Sequence, residues 1–156
     1  MRRSVLVLCA AAAALVALIP ATAGGAGGPQ AVRAGVPLSP LAGSQARGLA
    51  YFELKGQTLR YWVVVFGLDP GSEHAAHIHG PRGACTPAAK NTGVAVGVPD
   101  LKADANGVAW LTGSVSLKAA KIKNVLRPGF YFNVHAYPTA ELQTKGLGAV
   151  ACGNIR

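Results

Sequence analysis

From Leu49 onward, apolar and polar positions alternate in short runs bounded by Gly, Pro, Asn and Asp, the period-two signature of half-buried strands. Leu49–Leu54 is the first run, and Gly56-Gln57 turns the chain into Leu59–Leu68, which carries Tyr61, Trp62, Val63, Val64, Val65 and Phe66. Asp69-Pro70-Gly71 is a strong turn signal ahead of His74–His79, and Val94–Val98 is a weaker run. Asn106-Gly107 precedes Val108–Val115, Arg127-Pro128-Gly129 precedes Phe130–Ala136, and Leu147–Cys152 closes the series. No stretch shows a clear helical period and no repeat is evident. The pattern predicts an all-β fold of seven or eight strands, an immunoglobulin-like Greek-key sandwich or barrel.

The N-terminal stretch follows a different pattern. Arg2 and Arg3 precede an almost wholly apolar run from Ser4 to Ile19, followed by Pro20 and the small residues Ala21, Thr22 and Ala23. This is the layout of a secretory signal peptide over residues 1–23. An apolar run of about 16 residues falls short of the ~20 needed to span a bilayer, so no stable membrane span is expected. Residues 24–45, rich in Gly, Ala and Pro without a period, read as a flexible leader, leaving residues 46–156 as one β domain.

Composition narrows the function classes. The 156 residues carry 15 Lys+Arg against 6 Asp+Glu, a net charge of +9, with 51% hydrophobic and only 13% charged residues. Disordered or nucleic-acid-binding tails need few apolar residues and runs of Lys/Arg, and neither is present. Removing 23 residues and their two arginines leaves 133 residues and a charge of +7. Cys9 leaves with the signal, so a secreted, extracytoplasmic chain retains Cys85 and Cys152. One disulfide is the natural inference, with two free thiols as the alternative. Closing a loop of about 67 residues is worth roughly 4 kcal/mol on the chain-entropy model.

All four histidines fall in two of the predicted strands: His74, His77 and His79 in one, His135 in the other. Side chains two apart on a strand share a face. His77 and His79 therefore point together, with Ala76 and Ile78 turned toward the core. Likewise Phe130, Phe132 and Val134 share one face, and Tyr131, Asn133 and His135 the other. If the two strands meet, three imidazoles converge on the outer face of the sheet. Imidazole suits Cu, Zn, Fe and Ni, and a three-His set leaves a position for a small ligand. The bland alternative is a set of surface or hydrogen-bonded histidines with no metal.

The stretch His74-Ala75-Ala76-His77-Ile78-His79 resembles a strand of the Cu/Zn superoxide dismutase superfamily, in which the last two histidines bind copper and the first supports them. Gly83-Ala84-Cys85-Thr86, the Asp100–Ala109 stretch, Val134-His135 and Ala151-Cys152-Gly153-Asn154-Ile155 are similar to further motifs of that family, in the same order. The resemblance implies copper on His77, His79 and His135, an orienting role for His74, and a Cys85–Cys152 disulfide. It also implies dismutation of superoxide, a small anion, by Cu(II)/Cu(I) cycling. Residues 80–134 contain no histidine, so the family's bridging and zinc histidines are missing and a zinc site is not expected. Asp100, where a zinc aspartate would fall, reads as structural. Ala149 stands in place of the active-site arginine, with Arg156 and Lys145 as substitutes to consider.

A second resemblance is to the CHRD domain, an extracellular β-module. Ala76-His77-Ile78-His79-Gly80-Pro81 and Gly129-Phe130-Tyr131-Phe132-Asn133-Val134-His135 look like its patterns, although its usual ending is only faintly echoed at Ala140-Glu141-Leu142. It implies an extracellular binding module; a copper-binding protein without dismutase activity is a separate alternative, because the bridging histidine and the arginine are missing. The sequence sets no oligomeric state.

Overall fold

Alternating burial builds eight strands, which a computed structural model describes over residues 29–41, 43–81, 83–86, 93–119 and 125–156. They are β1 Val32–Pro40, β2 Arg47–Lys55, β3 Thr58–Phe66, β4 Glu73–His79, β5 Val94–Lys102, β6 Ala109–Ser116, β7 Tyr131–His135 and β8 Ala149–Asn154. A 3-10 turn, Thr139–Glu141, and a single helical turn, α1 Leu142–Lys145, lie between β7 and β8. The expected signal peptide lies outside the described residues.

The strands join antiparallel in the order β5-β4-β7-β8-β1-β2-β3-β6. The sheet folds into two layers, β1-β2-β3-β6 against β5-β4-β7-β8, with β5 and β6 approaching to make a nearly closed barrel. The β4–β7 and β3–β6 neighbours are the Greek-key crossings. β1 belongs to both layers: Val32–Leu38 pair with β2, then Ser39 and Pro40 pair with Cys152 and Ala151 of β8. β8 comes close enough that a Cβ on Gly153 would lie 2.1 Å from the Pro37 carbonyl oxygen, so only glycine fits there.

β1 corrects the expectation of a flexible leader through residue 45. Ala34, Val36 and Leu38 are buried at alternate positions. The intervening Gly35, Pro37 and Ser39 are small or turn-prone, and that composition hides the period-two signal. The core lies between the layers. Phe52 of β2 meets Phe132 of β7 edge to face at 5.3 Å between ring centroids, and Leu59, Val63, Val65, Ile78, Val134 and Ile155 complete the packing. Cys85 and Cys152 form a disulfide with Cα atoms 5.5 Å apart. The loop before β5 is thus tied to β8, and Asn154 Oδ1 accepts from the Cys85 N–H at 2.7 Å. Among the described residues no helix is long and apolar enough to cross a membrane.

Candidate metal centre

The strand pattern that buries Ala76 and Ile78 sends His77 and His79 to the other face of β4. β7 lies beside β4 with His77 opposite Asn133 and His79 opposite Tyr131. His135, two residues beyond Asn133, therefore falls diagonally next to His77, within side-chain reach. The rings form a near-regular triangle: His77–His135 5.2 Å, His79–His135 5.7 Å and His77–His79 5.8 Å between centroids. One donor atom from each of the three lies within 4.8 Å of the others. Nitrogens bound to one ion at about 2.0–2.1 Å sit roughly 3–4 Å apart, so small ring rotations close the set.

The imidazoles occupy the face expected of them, but they are not exposed. His77 is 8%, His79 2% and His135 1% accessible. Leu142 of α1, Leu147, and Gly93-Val94 at the start of β5 cover the rings, leaving a cavity of about 240 Å³ beside them. Strand periodicity assigns faces but carries no information on what packs over them. The single turn of α1 is too short to announce itself in sequence.

Burial sets the protonation. The ring of His77 is pushed down to about 4 by burial and by the neighbouring His135 and His79, against a smaller upward pull from Asp100. Burial and His79 likewise lower His135, partly offset by the carbonyls of Leu147 and Gly148. At neutral pH His77 is therefore a neutral imidazole with a lone pair, the state a metal requires. The Nδ1–H of His135 donates to the Leu147 carbonyl at 3.1 Å, which leaves Nε2 as the free acceptor. That Nε2 and the Nδ1 of His77 are buried and have no hydrogen-bond partner. Such groups are rare in folded proteins and call for an explanation. Two unpartnered imidazole nitrogens in a cluster of three histidines fit a soft or borderline transition metal.

His74 does not join the triangle. A register shift between His74 and Ala76 interrupts the β4–β5 ladder, and His74 stands outside the cluster of His77, His79 and His135. Its Nδ1–H donates to the main-chain oxygen of His135 at 2.7 Å, and its Nε2 lies 2.6 Å from Ser72 Oγ. The Ser72 hydroxyl in turn donates to the Asp69 carbonyl at 2.5 Å. Asp100 accepts from the Thr139 N–H (2.9 Å) and hydroxyl (2.5 Å), pinning the segment that leads to α1.

Periodicity places Tyr131 on the histidine face but does not reveal its role. Its ring stacks on His79 at 5.1 Å and 11°, so a buried aromatic wall holds that imidazole. No Arg or Lys lines the cavity among the described residues. Lys145 pairs with Glu141 at 2.7 Å, and Arg156 lines a separate cavity at the disulfide, so neither takes the place of the missing arginine.

A family comparison matches residues 28–143 to the CHRD domain, a span that begins before β1 and takes in all three clustered histidines. The match supports the second of the two resemblances and not the dismutase one. Among curated proteins, none is significantly similar to the chain.

Proposed function

The chain belongs to the CHRD-domain family, and from that footing we propose that it is an extracellular binding module whose His77, His79 and His135 hold one copper ion. The observation that carries this reading is the pair of buried, unpartnered ring nitrogens, His77 Nδ1 and His135 Nε2, within a triangle of imidazoles. Leaving such groups unpaired costs on the order of 1–3 kcal/mol each, which a coordinated ion would offset. Three imidazoles select nitrogen-loving ions, and among divalent ions affinity peaks at copper. Bound copper would supply one-electron redox capacity.

The residues around the site favour retention over turnover. His135 is oriented through Leu147, and His79 is walled by Tyr131. Leu142, Leu147 and Val94 line a largely apolar cavity beside the rings. A cavity lined without a cation gives no local field to draw in superoxide. Binding without dismutation is therefore the reading we adopt.

Copper titration of the purified chain tests it. One copper per chain is expected, and His135→Ala should abolish uptake. No uptake, or undiminished uptake by that variant, overturns the site. A superoxide-consumption assay on the copper-loaded protein should show no activity beyond that of His135→Ala given the same copper. Activity dependent on His135 would restore the dismutase reading.

A further inference from the structure

The layer opposite the histidines exposes an aromatic face. Outward-pointing positions of β2, β3 and β6 form adjacent cross-strand rungs: Leu49, Val64 and Trp110 on one, Tyr51, Trp62 and Thr112 on the next. Phe66 extends the first end. Trp110 is 75% exposed, and Leu49, Trp62 and Phe66 are each between 43% and 48% exposed. Tyr51 and Trp62 lie 5.6 Å apart and tilted. A contiguous apolar patch of this kind, rimmed by polar groups, marks a binding surface.

The rim has a definite sign. Arg33, Arg47 and Arg60 project from the same layer, where Glu53 is the only carboxylate. Glu53 is already engaged by Arg33 at 2.8 Å and Arg60 at 3.8 Å. The other five carboxylates, Asp69, Glu73, Asp100, Asp104 and Glu141, sit in the other layer or in turns. The face thus complements an anion. A second copy docked through the same face would set cations against cations. A bilayer interior would strand the hydroxyls of Thr112 and Ser114 and the Arg33–Glu53–Arg60 row that alternate with the rings. A sugar chain meets both demands, since its CH faces stack on aromatic rings while its hydroxyls bond to the polar rungs. With strands about 4.8 Å apart and about 6.6 Å between same-face residues, the Tyr51–Trp62–Trp110 diagonal runs roughly 12 Å, the length of a short oligosaccharide.

We propose that this face binds an acidic polysaccharide, with Trp62 and Trp110 stacking on its sugars and Arg47 and Arg60 pairing its anionic groups. Affinity electrophoresis and calorimetry of the full chain against polygalacturonate, uncharged dextran and phosphatidylglycerol vesicles test it. Polygalacturonate binding is expected, weakened at least tenfold in Trp110→Ala and several-fold in Arg47→Gln. Neither variant should melt differently from the parent, because both side chains are exposed. Lys118→Gln, on an exposed cation two residues past the end of β6 and eight from Trp110, should change nothing. The proposal fails if polygalacturonate is not bound, or if Trp110→Ala binds it undiminished. It also fails if vesicles bind and the polysaccharide does not, or if Lys118→Gln weakens binding as much as Arg47→Gln.

Discussion

His74 donates from Nδ1 to the main-chain oxygen of His135 at 2.7 Å, so a fourth imidazole, outside the triangle, fixes the strand that carries one of its members. Ser72 holds the other ring nitrogen of His74 and anchors it to the turn before β4. On the proposed copper reading, the relationship separates two roles that one motif would contain: coordination by His77 and His79, positioning by His74.

Replacing His74 with Ala should leave the stoichiometry at one copper while weakening affinity about 10- to 100-fold, as losses of outer hydrogen bonds to ligands commonly do. Competition titration against a chelator measures it. Unchanged affinity would remove the positioning role, and lost stoichiometry would make His74 a ligand.

Acid should destabilise the metal-free protein in a defined window. His77 has its pKa lowered from 6.5 to about 4 in the fold, and His135 is lowered as well. Below pH 6.5 the unfolded chain takes up protons that the folded chain refuses, so stability is complete above that pH and declines toward pH 4. Thermal melts across this range should show a falling Tm, with a shallower slope in His77→Gln. A flat profile in the parent would contradict the burial argument.

Core packing predicts a large effect at Phe52. Its edge-to-face contact with Phe132 bridges the layers, and Phe52→Ala should cost about 3–5 kcal/mol in urea denaturation. A loss below 1 kcal/mol would mean that the layers do not depend on this contact.

Severing Cys85–Cys152 should lower stability by roughly 4 kcal/mol, given the 67-residue separation. The paired serine variant, compared by denaturant melts with the oxidised parent, gives the number. Equal midpoints would show that the loop closure contributes nothing.

Much of the sandwich was legible because period two is a direct consequence of strand geometry. Alternation around Ala76/Ile78 and Phe132/Val134 assigned the faces of β4 and β7, but the convergence of His77, His79 and His135 was legible only on the condition that the two strands pair, as they do. β1 was not legible because Gly35 and Pro37 occupy its outward positions and read as breakers. The burial of the imidazoles was hidden for a different reason. It depends on Leu142 and Leu147, which follow His135 in the segment before β8, and on Val94, which the β4–β5 register sets opposite His79. The stacking of Tyr131 on His79 needed the β4–β7 register, which no local pattern contains.

The pairing of Ser39 with Cys152 and of Pro40 with Ala151 makes the first and last of the described strands neighbours. A nascent chain therefore has no template on that flank of β1 until β8, more than 100 residues later, is available. Such non-local closure is slow, because loop entropy is lost before any contact compensates it. The seam between β1 and β8 is the clasp of the barrel: removing β8 would leave an open edge at the end of β1, and with it a route to strand exchange between molecules.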